Sequence, residues 1–254
     1  MKFSTRFLSL FLFLAACSQP RDTSQTTEFD STASKFANSP LVEHIFTADP
    51  SAHVFEGKLF IYPSHDIETD VEEDDMGSHF DMKDYHVFSM EKVNGPVTDH
   101  GIALKLEDIP WASRQLWAPD AAEKNGKYYL YFPAKDKQGI FKIGVAVSDR
   151  SEGPFKPEVE PIKGTFSMDP AIFQDQEEYF LVWGGIWGGQ LQWYEDQKLV
   201  EGRKGPMDGL PGPDQKALMP YIAKLDDAMT GLAEKPREIL ILDENGEAIK
   251  AGDN

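Results

Sequence analysis

Apolar and polar residues alternate in three stretches of the chain that share one plan. The stretches are residues 49–62, 117–132 and 167–183, and each has an aspartate near its start, a short strand, a polar turn and an aromatic strand. The turns are Glu56-Gly57-Lys58, Asn125-Gly126-Lys127 and residues 175–178. Because polar or Asn-Gly turns between short apolar strands are typical of β-hairpins, each stretch is predicted to be a hairpin.

Further strands are predicted around the hairpins. Residues 85–88 continue the first unit, residues 140–148 alternate as a strand does, and residues 238–242 form a late strand. A hairpin that returns every 50 to 70 residues indicates an array of small sheets, as in a β-propeller. The predicted fold class is all-β. If the hairpins are equivalent, Asp49, Asp120 and Asp169 occupy equivalent places and meet at one mouth of a central channel.

The beginning of the chain is interpreted as a targeting signal. Lys2 and Arg6 precede a short apolar run, and Leu14-Ala15-Ala16-Cys17 is similar to a bacterial lipoprotein cleavage site. An ordinary secretory signal with an incidental cysteine is the alternative. Lipidation of Cys17 predicts a bacterial cell-envelope protein, at the outer membrane or in the periplasm, that contacts the membrane only through its anchor.

Three segments follow from this interpretation. Residues 1–17 are the predicted lipoprotein signal peptide, and residues 18–40, rich in Ser, Thr, Gln and Asp, are a flexible tether. Residues 41–254 are the predicted β-propeller domain.

The charge balance narrows the class of partner. The formal net charge is −18, and removal of Lys2 and Arg6 with the signal makes it −20. Nucleic acid is bound through basic patches, so a nucleic-acid partner is not expected. A neutral glycan is not repelled by an acidic protein, so a carbohydrate ligand is compatible with the charge.

Two of the aspartates precede proline, in Asp49-Pro50 and Asp169-Pro170. Proline restricts the residue before it, so both aspartates are expected to be extended and held at a strand entry. Carboxylates that converge from distant repeats are suited to acid/base chemistry on a hydroxyl-rich substrate.

Asp49-Pro50, Trp117-Ala118-Pro119-Asp120 and Ser167-Met168-Asp169-Pro170 resemble the blade motifs of glycoside hydrolase family 43. The resemblance implies a five-bladed β-propeller that hydrolyses β-xylosides or α-L-arabinofuranosides with inversion. It also implies that Asp49 is the general base and that Asp169 orients the substrate and modulates the pKa of the acid. The family's general acid, a glutamate from a later blade, has no matching motif. About three and a half blades are recognisable, so we expect a C-terminally truncated and inactive domain.

Four further residues are candidates for substrate contact. Trp117 and Trp187 have the flat apolar faces on which sugars stack, and a core position is the alternative for both. The place of Trp117 near the aspartate that heads a repeat favours a site role, whereas the two interpretations are balanced for Trp187. Asp120 is expected to order its loop or to touch the substrate. His65 is expected either to reach the site or to satisfy a turn.

Six carboxylates crowd residues 68–75. The spacing and the glycine of an EF-hand are missing, which favours a solvated loop over a calcium loop. No metal ligands are assigned and no cofactor is expected, although a structural calcium ion is compatible with the composition.

The sequence therefore predicts a glycosidase that hydrolyses O-glycosidic bonds of a plant-derived oligosaccharide or polysaccharide. The alternative is a non-catalytic glycan-binding surface lipoprotein. A sucrose- or fructan-cleaving propeller is a third interpretation, and the Trp-Ala-Pro-Asp motif disfavours it.

Overall fold

The computed structural model describes residues 40–253, which form an all-β domain. The predicted signal peptide, the anchor at Cys17 and nearly all of the predicted tether lie outside these residues. Within residues 40–253, no helix is long and apolar enough to cross a bilayer. The described helices are single 3-10 turns at Leu106–Asp108, Trp187–Gly189 and Leu191–Trp193.

Three antiparallel sheets follow one another along the chain. The first is a meander of β1 (Phe46–Phe55), β2 (Lys58–Asp66), β3 (Asp84–Met90) and β4 (Thr98–Lys105). The second contains β5 (Ala112–Arg114), β6 (Asp120–Lys124), β7 (Lys127–Asp136), β8 (Phe141–Ser148) and β9 (Lys156–Pro157). Since β5 and β6 both pair with β7, the second sheet is also four positions wide.

The third sheet has the order β10 (Ala171–Asp175), β11 (Glu178–Trp183), β14 (Tyr221–Lys224) and β15 (Arg237–Glu238). A small hairpin of β12 (Tyr194–Glu195) and β13 (Lys198–Leu199) interrupts it. The strand predicted at residues 238–242 is wrong except at Glu238. The apolar residues Leu240, Ile241 and Leu242 are half exposed, so they are not the buried strand that their hydrophobicity suggested.

All three predicted hairpins are confirmed. The residues that close the turns pair as Phe55 with Lys58, Lys124 with Lys127, and Asp175 with Glu178, so each turn has two residues. In the first two turns both residues have positive φ. This is the geometry of a type I′ turn, whose twist matches that of the strands it joins.

Alternation along the strands places the second sheet between the other two. Leu130 and Phe132 of β7 belong to an apolar cluster shared with Tyr62 of the first sheet. Tyr131, which points to the opposite face, belongs to a cluster shared with Trp183 of the third sheet. The aromatic strands predicted from the sequence are therefore the interfaces between neighbouring sheets.

The turns also fix which residues are equivalent. The turns begin at Glu56, Asn125 and Gln176. Counting back seven residues from each reaches Asp49, Ala118 and Asp169, and the next residue is a proline in all three units. Asp120 lies only five residues before its turn, so the predicted equivalence of three aspartates is wrong. Ala118 occupies the equivalent place in the second unit.

Candidate active site

A cavity of about 610 Å³ opens where the three hairpins begin. A volume of this size is typical of small-molecule sites. Most of its lining comes from the hairpin entries and from the loops after β2 and β11: Ala48, Asp49, Asp66, Asp74, Asp75, Gly77, His79, Phe80, Met82, Trp117, Ala118, Met168, Asp169, Ile186, Trp187 and Gly188. The equivalent residues Asp49, Ala118 and Asp169 thus share one cavity.

Asp49 and Asp169 both adopt a left-handed backbone, with φ of 47° and 55°. The expectation that proline keeps them extended is therefore wrong. This conformation costs an ordinary residue about 1–2 kcal/mol, so the surrounding structure must impose it. For Asp49 the cause is a bulge in β1, where the pairing register shifts between Ala48 and Ser51.

Neighbouring hydrogen bonds hold both strand entries. Ser64 Oγ donates to the carbonyl of Ala48, the residue before Asp49, at 3.0 Å. The amide of Gly184 donates to the carbonyl of Met168, the residue before Asp169, at 2.9 Å. Each candidate carboxylate is therefore anchored through the backbone on its N-terminal side.

The carboxyl group of Asp169 is the perturbed acid of the cavity. Solvent reaches Asp169, but protein atoms crowd its carboxylate and displace much of the surrounding water. This desolvation, together with the negative charge of Asp49, raises the pKa of Asp169 from 3.8 to about 6. A carboxyl group with such a pKa exchanges its proton near neutral pH.

Ser167 fastens Asp169 to the opposite loop. Its fully buried hydroxyl accepts a hydrogen bond from the amide of Gly185 at 2.9 Å and is 3.0 Å from the carbonyl of the same residue. The loop is packed so closely that a Cβ at Gly188 would lie 2.8 Å from the carbonyl oxygen of Met76. A larger residue at position 188 would therefore force one of the two loops to shift.

Aromatic side chains form the apolar walls. Trp117 is fixed by a hydrogen bond of 2.7 Å from its Nε1 to the carbonyl of Phe80. Trp187 is 56% exposed and Phe80 is 44% exposed, although both line the cavity. Exposed aromatic faces next to carboxylates are suited to stacking against the apolar face of a sugar ring.

A buried cation lies behind Trp117. Lys135 is 2% exposed, and its Nζ lies 5.9 Å from the ring centre of Trp117 and 5.0 Å from that of Phe141. Burial lowers the pKa of Lys135 to about 8, and the charge of Arg114 acts in the same direction. The two rings provide the cation–π contacts that partly offset its desolvation.

Asp120 does not line the cavity. Its Oδ1 is 2.6 Å from His53 Nε2 and accepts from the amide of Ala121 at 2.8 Å, while its Oδ2 accepts from the amide of Ile172 at 2.6 Å. These partners belong to β1, β6 and β10, one strand from each sheet. Of the two roles expected for Asp120, these hydrogen bonds fit the ordering of the local structure, and contact with the substrate stays a prediction.

His65 also lies away from the cavity. Its Nδ1 is 2.7 Å from Asp84 Oδ1, on the face of β2 opposite to the one that packs against the second sheet. The neighbouring Asp66 lines the cavity instead. Alternation would have identified it, since Asp66 shares its face with the buried Tyr62 and Ser64.

Sequence reasoning missed several other lining residues. Asp74, Asp75, His79 and Phe80 come from a long irregular loop, for which no periodicity indicates direction. Asp74 caps this loop, because its Oδ1 accepts from the amides of Met76 and Ser78. Among the described residues, five aspartates and no glutamate line the cavity, so the described part offers no candidate for the family's glutamate acid.

Comparison with known proteins places these features in context. The sequence model of glycosyl hydrolases family 43 matches residues 42–241. Xylosidase/arabinosidase 43A of Humicola insolens is 57% identical over 225 residues, covering 85% of this chain and 68% of that protein. A xylosidase/arabinosidase of Bacteroides ovatus is 52% identical over 215 residues, covering 84% and 65%.

A solved structure agrees with the sequence relatives. A β-xylosidase/α-arabinofuranosidase from a compost microbial metagenome, in complex with xylotriose and in a calcium-free form, superposes with a TM-score of 0.82 at 59% identity. The match covers 85% of this chain and 65% of that protein. The chain thus spans about two thirds of the length of the relatives it matches.

Proposed function

The chain belongs to glycosyl hydrolases family 43, and from that premise we propose that it hydrolyses O-glycosidic bonds of plant-derived oligosaccharides with inversion at the anomeric carbon. The substrates proposed are β-xylosides and α-L-arabinofuranosides, the classes named in its relatives. We also propose that the three sheets are successive blades of a five-bladed propeller. The side-by-side packing of the sheets in chain order supports this arrangement.

One observation carries the proposal. Asp49 and Asp169, 120 residues apart in sequence, occupy the same position in their hairpins and line one cavity. Cavity aromatics add surfaces on which a sugar ring stacks. Two carboxylates and an aromatic wall are the groups that an enzyme acting on glycosides needs.

In the proposed mechanism Asp49 is the general base. It takes a proton from a water molecule that attacks the anomeric carbon, while the bond to the leaving oxygen breaks on the other face of the sugar and a general acid protonates that oxygen. Inverting enzymes keep base and acid roughly 6.5–9.5 Å apart so that this water fits between them. Asp169 orients the sugar and, when ionised, raises the pKa of a neighbouring acid by like-charge repulsion.

The choice of leaving group in the substrate allows the general base to be tested separately from the general acid. An aryl xyloside with two nitro groups on its ring releases so acidic a phenol that it departs without a proton donor. We expect the chain to hydrolyse 2,4-dinitrophenyl β-D-xyloside faster than xylobiose, whose leaving sugar needs a proton donor. Asp49→Asn should lower the aryl rate roughly 10²–10⁴-fold, and exposed Asp149→Asn should not change it.

The stereochemical outcome is the second measurement. Proton NMR of the first product should show α-xylose, because inversion converts a β-xyloside into the α-anomer. Equal aryl rates for the wild type and Asp49→Asn, or β-xylose as the first product, would refute the assignment of the base. Rapid cleavage of xylobiose would show that an acid exists among these residues.

The alternative of a non-catalytic glycan-binding lipoprotein has no support from the relatives, whose names are those of enzymes. Attachment to a bacterial envelope through Cys17 is proposed from the sequence motif alone. Labelling cells with a fatty-acid analogue tests it, since Cys17→Ala should abolish incorporation. The expectation that catalysis needs no cofactor also stays a prediction.

A further inference from the structure

We propose that His65, Asp84 and His86 bind one divalent transition-metal ion, for which Zn²⁺ has the matching chemistry. His65 lies on β2, and Asp84 and His86 lie on β3. All three project from the face of the first sheet that carries the apolar cluster of Ile61, Phe88 and Met90. The site is separate from the cavity, because none of its three residues lines that cavity.

The distances are close to those of a coordination shell. One ligand atom from each of the three residues lies within 4.8 Å of the other two. Asp84 Oδ1 is 2.7 Å from His65 Nδ1 and 3.9 Å from His86 Nε2. Tetrahedral zinc with bonds of about 2.0 Å separates its ligand atoms by about 3.3 Å. The two observed distances bracket this value, and the two histidine nitrogens lie within 4.8 Å of each other.

The second nitrogen of His86 is already oriented as in metal sites. His86 Nδ1 is 3.1 Å from Asp99 Oδ1. Asp99 is itself held by the amide of Gly101 at 2.7 Å and by His44 Nε2 at 2.7 Å. A carboxylate behind a ligating histidine fixes the ring and increases the basicity of the nitrogen that faces the metal. His86 Nε2 is therefore directed toward Asp84.

The donor set selects the type of ion. Two imidazoles and one carboxylate suit zinc and its neighbours, whereas calcium and magnesium take shells made of oxygen. The three side chains are 12–19% exposed, so solvent reaches the group. Three protein ligands leave a fourth position that a water molecule can fill.

A bound ion would tie β2 to β3 and support the strand that carries Asp49. His65 pairs with Thr47 of β1, two residues before Asp49. The expected effect is on the stability of the first sheet, so the proposal does not depend on glycosidase activity.

The experiment titrates the metal-free full chain with ZnCl₂ against a chromophoric chelator. We expect one tight site per chain in the wild type, with a rise in thermal midpoint on zinc addition. His65→Ala and His86→Ala should weaken binding at least 100-fold. Asp99→Asn, which removes no ligand, should weaken it about 10–100-fold. His100→Ala is the matched control, because His100 lies on β4 of the same sheet but bonds Ser89 instead.

Two results would overturn the proposal. One is the lack of a stoichiometric zinc site in the wild type, a measurement that does not depend on any variant folding. The other is unchanged affinity in His65→Ala and His86→Ala, which would place the zinc elsewhere, such as at Cys17. Asp84→Asn, which keeps the size of the side chain, should also lose zinc, and circular dichroism confirms that each variant is folded.

Discussion

Replacing Asp120 tests whether one carboxylate joins the three sheets. Its two oxygens bond His53, Ala121 and Ile172, at distances of 2.6, 2.8 and 2.6 Å. A hydrogen bond to a charged group contributes about 1.5–3 kcal/mol, and a buried donor left unpaired costs about 1–3 kcal/mol. His53 is partly exposed and can rebind water, whereas the amide of Ala121 belongs to a residue that is only 2% exposed. We therefore expect Asp120→Ala to lower the free energy of unfolding by about 3–5 kcal/mol.

Urea unfolding followed by tryptophan fluorescence measures this change. In a domain of this size the loss corresponds to a fall of roughly 6–20 °C in the thermal midpoint. Asp120→Asn keeps one acceptor oxygen, so it should lower the free energy of unfolding by less than Asp120→Ala does. The control is Asp149→Ala, whose exposed carboxylate pairs only with Lys127 and should contribute under about 1 kcal/mol.

The opposite result would restore the role expected from the sequence. If Asp120→Ala unfolds within about 1 kcal/mol of the wild type while Asp120→Asn loses affinity for xylotriose, Asp120 contacts the sugar and does not join the sheets. Unchanged stability would refute the structural reasoning even without an effect on binding.

Three further predictions concern the cavity and its surroundings. Burial lowers the pKa of Lys135 from 10.5 to about 8, so between these pH values the unfolded chain binds more protons than the folded chain. As pH rises from 8 to 10, urea titrations should show the free energy of unfolding of the wild type increasing by up to about 3 kcal/mol relative to Lys135→Met. A difference between the two proteins that does not change with pH would contradict this. The pKa of Asp169 in the folded chain is raised to about 6. As pH rises from 4 to 7, the free energy of unfolding relative to Asp169→Asn should therefore fall by on the order of 1 kcal/mol, with solvent screening taken into account. A difference that is constant over this pH range would argue against the raised pKa. Gly188→Ala should lower the free energy of unfolding by about 1–3 kcal/mol, because the added methyl group meets Trp117 and a backbone carbonyl. The substitution should also weaken xylotriose binding measured by calorimetry. Affinity equal to that of the wild type would show that the loop moves to accommodate the methyl group.

The hairpins and the carboxylates at Asp49 and Asp169 were predictable because local rules govern them. Turn chemistry and strand alternation depend on neighbouring residues, and both are visible in a single sequence. Counting from the turns would also have shown that Ala118, and not Asp120, is the equivalent of Asp49. The exact turn residues were therefore more informative than the shared aspartate.

The remaining features depend on contacts that the sequence does not display. The left-handed backbone of Asp49 follows from a bulge that only the pairing of β1 with β2 reveals. The loop that supplies Asp74 and His79 has no period from which its direction could be inferred. The histidine–aspartate group of β2 and β3 forms across strands, so residues 65 and 84 become neighbours only once the register is known.

The residue before proline occupies the same position in all three hairpins. It is an aspartate in the first and third hairpins and Ala118, which has only a methyl group, in the middle one. In a repeated structure of this kind, the residue at one position of each copy decides whether that copy contributes a reactive group, and the shape of the copy stays the same. The middle position holds Ala118 next to Trp117, so the entry of this hairpin brings no carboxylate into the cavity. A substitution at position 118 can therefore change the chemistry of the cavity without changing the strands that support it.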